Sequence, residues 1–217
     1  MTSQTHILSP QRRFFALLGI ICGIILVQAC GRQMPAEAPC NFVQNHNQQR
    51  VSWSHDLPIN IYLDNSYPQQ YESAVRDAIN KWNKVGRTIA GQDFFRIRAN
   101  SPGAPYPAQD GYTKIYFLDS WEADKPSEQA RTTVYWTGSR IYEADIRVNN
   151  KDFDFYLGNN SDPSRVHMES LMVHELGHVL GLAHTDDHAS VMQVTLANGK
   201  SRAELGDIDI SSLSCEY

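Results

Sequence analysis

The sequence predicts an α/β (α+β) fold in which a mixed, twisted sheet of about five strands packs on two long helices, with a short helix at the C-terminal end. Five short segments have the alternating or apolar character of strands, and two longer segments repeat apolar residues at helical spacing. Their order is strand, helix, four strands, helix, loop, helix, which indicates one sheet layered against helices.

The strand segments are short, rich in β-branched or aromatic residues and bounded by turn-forming residues. They are residues 59–63, 94–99, 113–118, 132–136 and 141–148. Residues 137–140 read Thr-Gly-Ser-Arg, which predicts a hairpin turn between the last two strands. The polar, Pro- and Gly-containing stretch 100–112 and the polar stretch 149–165 are predicted to be loops.

Three helices are predicted. Apolar residues between Ala74 and Val85 recur at helical spacing within residues 68–85, and Gly86 is the expected stop. Residues 166–180 form the second helix. A short terminal helix is expected over residues 201–213, because Ser201 with glutamate three residues later reads as a capping box.

Length and composition limit the classes of function. The chain has 217 residues, of which 41% are hydrophobic and 20% charged, and this suits one globular domain with a small appendage. Its formal net charge of -5 disfavours non-specific binding to phosphates, so no nucleic-acid partner is expected. Repeats and low-complexity tracts are not visible, and the domain is expected to act as a monomer.

Residues 1–29 are predicted to be an export signal. Arg12 and Arg13 precede the apolar run 14–29, and no acidic residue occurs among the first 29. A membrane-spanning helix needs about 20 apolar residues, so the run fits a secretory signal better. The run ends in Leu-Val-Gln-Ala-Cys, which resembles a bacterial lipobox and implies cleavage before Cys30 and lipidation of Cys30. An uncleaved signal anchor and plain secretion are the alternatives, and all three place the rest outside the cytoplasm.

The lipobox resemblance implies a lipoprotein of a bacterial cell envelope, with the membrane as a partner through the lipid anchor. Gly31 follows Cys30, in place of the aspartate that retains such lipoproteins in the inner membrane, so the outer membrane is expected. Residues 30–50 are rich in Gln, Asn, Pro and Ala and are predicted to be a linker, with the folded domain over residues 51–217.

Two cysteines remain near the ends of the mature chain, Cys40 and Cys215. In an oxidising compartment a disulfide between them is the first expectation. The alternative is that Cys40, which follows Pro39, serves as a thiolate that blocks a metal site in a latent form.

The residues that carry chemistry lie in one stretch, HELGHVLGLAH, at positions 174–184. His174 and His178 lie one helical turn apart on the same face and can bind one metal ion, for which imidazole suits zinc. Glu175 can take a proton from a water on that metal. His184 would lie about 9 Å further along a straight helix, so the chain must bend, and Gly181 permits the bend.

This stretch matches the pattern H-E-x-x-H-x-x-G-x-x-H and resembles the metzincin zinc peptidases. Met192, eight residues after His184, is similar to the methionine of that family's Met-turn, and the spacing resembles the matrixin branch best. The resemblance implies a metalloendopeptidase with one catalytic Zn²⁺ on three histidines, a zinc-activated water and Glu175 as general base. A protein or peptide substrate would lie extended along an edge strand, for which residues 141–148 are the candidate.

The sequence departs from the matrixin pattern in places. Gln193 and Val194 replace the proline–tyrosine segment that follows the methionine. Calcium could bind at Asp145 or at Asn149 and Asn150, although solvated loop residues are the simpler interpretation. The alternative function is a non-catalytic zinc-binding envelope lipoprotein that acts as an interaction module.

Overall fold

The computed structural model describes residues 40–54 and 56–217. The predicted signal peptide over residues 1–29, Cys30 and the first part of the predicted linker lie outside the described residues. Among the residues described, no helix combines the length and the apolar character that crossing a membrane requires.

Five strands form one mixed sheet, which confirms the predicted fold class. They are β1 (Ile59–Leu63), β2 (Phe95–Arg98), β3 (Thr113–Leu118), β4 (Ala130–Thr137) and β5 (Arg140–Asn149), in the spatial order β2-β1-β3-β5-β4. Strands β1, β2, β3 and β5 run parallel to one another, and β4 pairs antiparallel with β5.

Strand β4 lies at one edge of the sheet and β2 at the other, and the expectation that residues 141–148 form the edge is wrong. Strand β5 is enclosed between β3 and β4. Most of its residues are buried, including both faces of the stretch from Ala144 to Ile146, as in a central strand. Strand β4 has intermediate and exposed residues throughout.

Helix α1 (Glu72–Ile89) follows a short 3-10 turn and packs against the sheet and the second helix. Trp82 is fully buried, and its indole nitrogen donates a hydrogen bond to the Val173 carbonyl oxygen at 3.0 Å. Gly86 does not end α1 as expected. A Cβ at Gly86 would overlap the Gln92 carbonyl oxygen, so glycine serves here for close packing inside the helix.

The second helix begins later than predicted. Two short parallel strands, β6 (Phe155–Tyr156) and β7 (Val166–His167), lie within or just after the stretch expected to be a loop, and α2 (Met168–Val179) follows directly. Most residues of α2 are buried, and the majority of these are leucine, valine and methionine.

The terminal helix α3 (Asp207–Leu213) starts six residues after the predicted start at Ser201. The carboxylate of Asp209 accepts a hydrogen bond from the backbone nitrogen of Gly206 at 2.8 Å and so fills the capping role expected of Glu204. Glu204 instead pairs with Lys81 of α1. The helix cap therefore lies five residues further along the chain than predicted.

Residues 40–50 pack on the domain and do not form a free linker. Phe42 is buried and forms an antiparallel bridge with Leu182, and a disulfide joins Cys40 to Cys215. The side-chain oxygen of Asn45 accepts hydrogen bonds from two backbone nitrogens of its own turn. The polar residues that made this stretch resemble a linker therefore shape a tight hairpin.

Candidate metal centre

Three imidazole nitrogens converge near the C-terminal end of α2. The Nε2 atom of His178 lies 3.1 Å from Nε2 of His174 and 3.1 Å from Nε2 of His184, and the remaining pair is 3.2 Å apart. A tetrahedral zinc with nitrogen ligands at about 2.0–2.1 Å would set such nitrogens about 3.3 Å apart. The three donors therefore fit one zinc ion. The structure brings together the three histidines that the sequence pointed to.

The orientation of the first two histidines is fixed by backbone carbonyls. Nδ1 of His174 donates to the Val191 oxygen and Nδ1 of His178 donates to the Leu182 oxygen, each at 2.8 Å. A proton on Nδ1 leaves the Nε2 lone pair free for a metal. Burial lowers the pKa of both rings to about 4, so both are in the neutral form that binds metals.

The third histidine depends on a sharp turn after α2. Gly181 has φ of +96°, in the left-handed region that favours glycine, and its nitrogen donates to the His178 oxygen at 2.9 Å. A Cβ at Gly181 would overlap the Val51 carbonyl oxygen. The helix therefore ends where the predicted bend requires, and His184 returns toward the other two ligands.

Met192 is fully buried, and its sulfur lies against Gly177, which directly precedes His178 on α2. Asp209 of α3 holds the preceding residues, because its carboxylate accepts hydrogen bonds from the Ser190 hydroxyl and from the Val191 nitrogen. Since the Val191 carbonyl orients His174, α3 supports the metal site through this turn. Sequence reasoning missed Asp209, which lies 35 residues beyond His174.

Glu175 lies on α2 beside His174, and only 4% of it is exposed. Its Oε2 atom accepts a hydrogen bond of 2.6 Å from the hydroxyl of Thr132 on β4, and burial raises the pKa of the carboxyl. Thr132 is a second residue that sequence reasoning missed. No signal in the motif points to it, because the contact arises from the position of β4 next to α2.

An open cleft of about 700 Å³ contains the three histidines and Glu175. One of its sides is the free edge of β4, with Thr132, Val134 and Trp136. The N-terminal hairpin also contributes, through Val43 and Val51. The remaining apolar wall comes from α2 and from the residues after Met192, namely Leu171, Val194 and Leu196.

The residues considered for calcium are engaged in hydrogen bonds within the protein. The amide of Asn149 donates to the Glu128 carbonyl oxygen at 2.9 Å and that of Asn150 donates to Asp119. Asp145 accepts from the Lys114 backbone nitrogen at 3.0 Å, and burial raises its pKa to about 7. These contacts account for Asn149 and Asn150 without an ion, whereas the buried Oδ2 atom of Asp145 has no hydrogen-bond partner among the described residues.

The fold and the site together define a metzincin-type metallopeptidase domain. The family model described as matrixin matches residues 52–217, so the chain belongs to the matrixin family of peptidases. It is also similar to the metalloendoproteinase 2-MMP of Arabidopsis thaliana, with 36% identity over 66 residues. That match covers 30% of this chain and 17% of the plant protein.

Proposed function

We propose that this chain is a zinc-dependent metalloendopeptidase. The observation that carries the proposal is the convergence of three histidine Nε2 atoms, 3.1–3.2 Å apart, next to the Glu175 carboxylate in an open cleft. Three protein ligands leave one position open, which is the pattern of a catalytic zinc and differs from the four protein ligands of a structural one.

Zinc bound by His174, His178 and His184 would supply Lewis acidity, which makes a water more acidic and a peptide carbonyl more electrophilic. Glu175 takes the proton from the attacking water, and the water oxygen forms a bond to the carbonyl carbon. The carbon–nitrogen bond then breaks, and Glu175 returns its proton to the leaving amine. Thr132 holds the Glu175 carboxylate in place during both transfers.

The substrate is proposed to be a protein or peptide that lies extended along β4. The free side of this strand lines the cleft, while its other side pairs with β5. An extended peptide can add a strand to such an edge through backbone hydrogen bonds. Thr132, Val134 and Trp136 alternate along β4 and all line the cleft, so they would flank the bound peptide.

The proposal includes export and a lipid anchor at Cys30, which would tether the domain to the envelope of a bacterium, at the outer membrane. The disulfide between Cys40 and Cys215 supports an oxidising location. Incorporation of a labelled fatty acid into the chain, and its loss in Cys30→Ser, tests the anchor.

Cleavage of an unfolded protein by the full chain tests the peptidase function. Glu175→Gln should lower kcat/KM by about 10²–10⁴-fold and leave the zinc content unchanged. Glu169→Gln is the matched control, because Glu169 lies on the same helix and faces Lys81. The non-catalytic alternative predicts zinc in both variants and cleavage by neither, nor by the parent chain.

A further inference from the structure

The turn between the second and third zinc ligands is paired with the N-terminal hairpin. We name residues 41–51 the N-terminal clasp. The Val43 nitrogen donates to the Gly181 oxygen at 2.9 Å, and the Ala183 nitrogen donates to the Asn41 oxygen at 3.0 Å. The side-chain amide of Asn41 adds a third bond, to the Ala183 oxygen at 2.6 Å. The clasp therefore runs antiparallel to residues 181–183.

That turn positions two of the three ligands. The Leu182 carbonyl accepts the hydrogen bond from Nδ1 of His178, and Ala183 directly precedes His184. Leu182 is fully buried and its bridge partner Phe42 is only 5% exposed, so water has little access to compete for these backbone hydrogen bonds. A displacement of the turn would move both His178 and His184.

The clasp is attached at both of its sides. Cys40 forms the disulfide with Cys215, and Arg50 pairs with Glu216 at 2.8 Å, so the C-terminal residues hold one side. On the other side, the amide of Asn45 donates to the Gly138 oxygen at 2.8 Å, in the turn between β4 and β5. The clasp thus links three parts of the domain that are distant in sequence.

From these contacts we infer that the N-terminal clasp is a positioning element of the zinc site. It holds residues 181–183 in the arrangement in which the Nε2 atoms of His178 and His184 meet that of His174. Groups that orient metal ligands from outside the coordination sphere commonly change metal affinity by about 10–100-fold when they are removed. The inference rests on the zinc binding of the proposed function and does not depend on peptide cleavage.

Two asparagines, one in the clasp and one outside it, provide a matched test. Asn41 and Asn198 each donate a side-chain amide to a backbone carbonyl, but Asn41 reaches the ligand turn and the exposed Asn198 reaches Ser164. The full chain, loaded with zinc, is mixed with an excess of a chromogenic chelator, and the rate of zinc release is measured. Asn41→Ala should release zinc about 10-fold faster than the parent chain, and Asn198→Ala at close to the parent rate.

Equal release rates for the parent chain and Asn41→Ala would overturn the inference. Equal acceleration in both variants would also overturn it, because that result would show general loosening. Paired Cys40→Ser and Cys215→Ser substitutions give a second test: a variant that keeps its circular dichroism spectrum should release zinc faster, and an unchanged rate would contradict the inference. Zinc-loaded protein that cleaves nothing would defeat the proposed peptidase function and leave the role of the clasp standing.

Discussion

The ligands on α2 and the ligand beyond it are positioned in two different ways. His174 and His178 are one turn apart on a buried helix, so the geometry of the helix itself brings their nitrogens together. His184 is exposed and lies on a turn with little regular structure. Its place depends on contacts with the N-terminal clasp, and the Met192 turn next to it depends on α3.

The difference shows how one metal site can combine local and long-range determinants. A helical pair of ligands is specified by a spacing of four residues, and it forms wherever the helix forms. The third ligand closes the site only if residues far apart in sequence fold around it. We therefore expect substitutions beyond α2 to affect stability and zinc binding, and substitutions facing Glu175 to affect catalysis alone.

The largest expected effect follows from Asp209→Ala. Asp209 is buried, and its loss leaves the Ser190 hydroxyl and the Val191 and Gly206 nitrogens without their acceptor. The free energy of unfolding should fall by about 3–5 kcal/mol, as measured by denaturant titration.

Asp207→Ala is the control for Asp209→Ala, because Asp207 lies in the same first turn of α3 but is exposed. It should change the free energy of unfolding by less than about 0.5 kcal/mol. Similar losses in both variants would mean that a general charge effect at the start of α3, and no specific support of the Met192 turn, explains the result.

Gly181→Ala should have the next largest effect, because the added Cβ both strains a backbone at φ of +96° and overlaps the Val51 carbonyl oxygen. A loss of about 2–4 kcal/mol and weaker zinc binding are expected. Gly91→Ala is the matched control: its φ is +70°, but nothing lies within 4 Å of its Cβ, so only the strain of about 1–2 kcal/mol should be seen. Zinc binding as tight as in the parent chain would contradict the role assigned to the turn.

The smallest effect is expected for the strand residue that contacts Glu175 of α2. Thr132→Val removes the hydroxyl that donates to Glu175 at 2.6 Å and keeps the shape of the side chain. kcat/KM should fall by about 10-fold while zinc content and stability stay close to those of the parent chain. Thr132→Ser restores a hydroxyl and should restore activity; if serine and valine behave alike, hydrogen bonding to Glu175 is not the reason.

The same division, between local helix geometry and long-range contacts, separates the features that the sequence predicts from those that it does not. The helical spacing of His174 and His178 and the bend at Gly181 could be read directly, because local geometry determines both. The clasp could not, since its polar composition is that of a linker and its hydrogen bonds to the rest of the domain reach residues between 93 and 171 positions away. Periodicity does not indicate which strand of a hairpin lies at the edge of the sheet, and for this reason the prediction of residues 141–148 as the edge strand is wrong.

The start of α3 shows a further limit. Ser201 and Glu204 have the pattern of a capping box, yet Gly206 and Asp209 begin the helix. Asp209 gains additional hydrogen bonds from the Met192 turn, and Glu204 gains Lys81 as a partner. Tertiary contacts that no local pattern contains decided between two candidate caps.

X-ray absorption spectroscopy of the zinc-loaded full chain tests the central claim most directly, because it reports the atoms bound to the metal. The account predicts one zinc per chain with three imidazole nitrogens at about 2.0–2.1 Å and one further oxygen. Loss of one nitrogen should follow in His184→Ala. A sulfur ligand, a site closed by four protein ligands, or an unchanged spectrum in His184→Ala would contradict a catalytic zinc held by these three histidines.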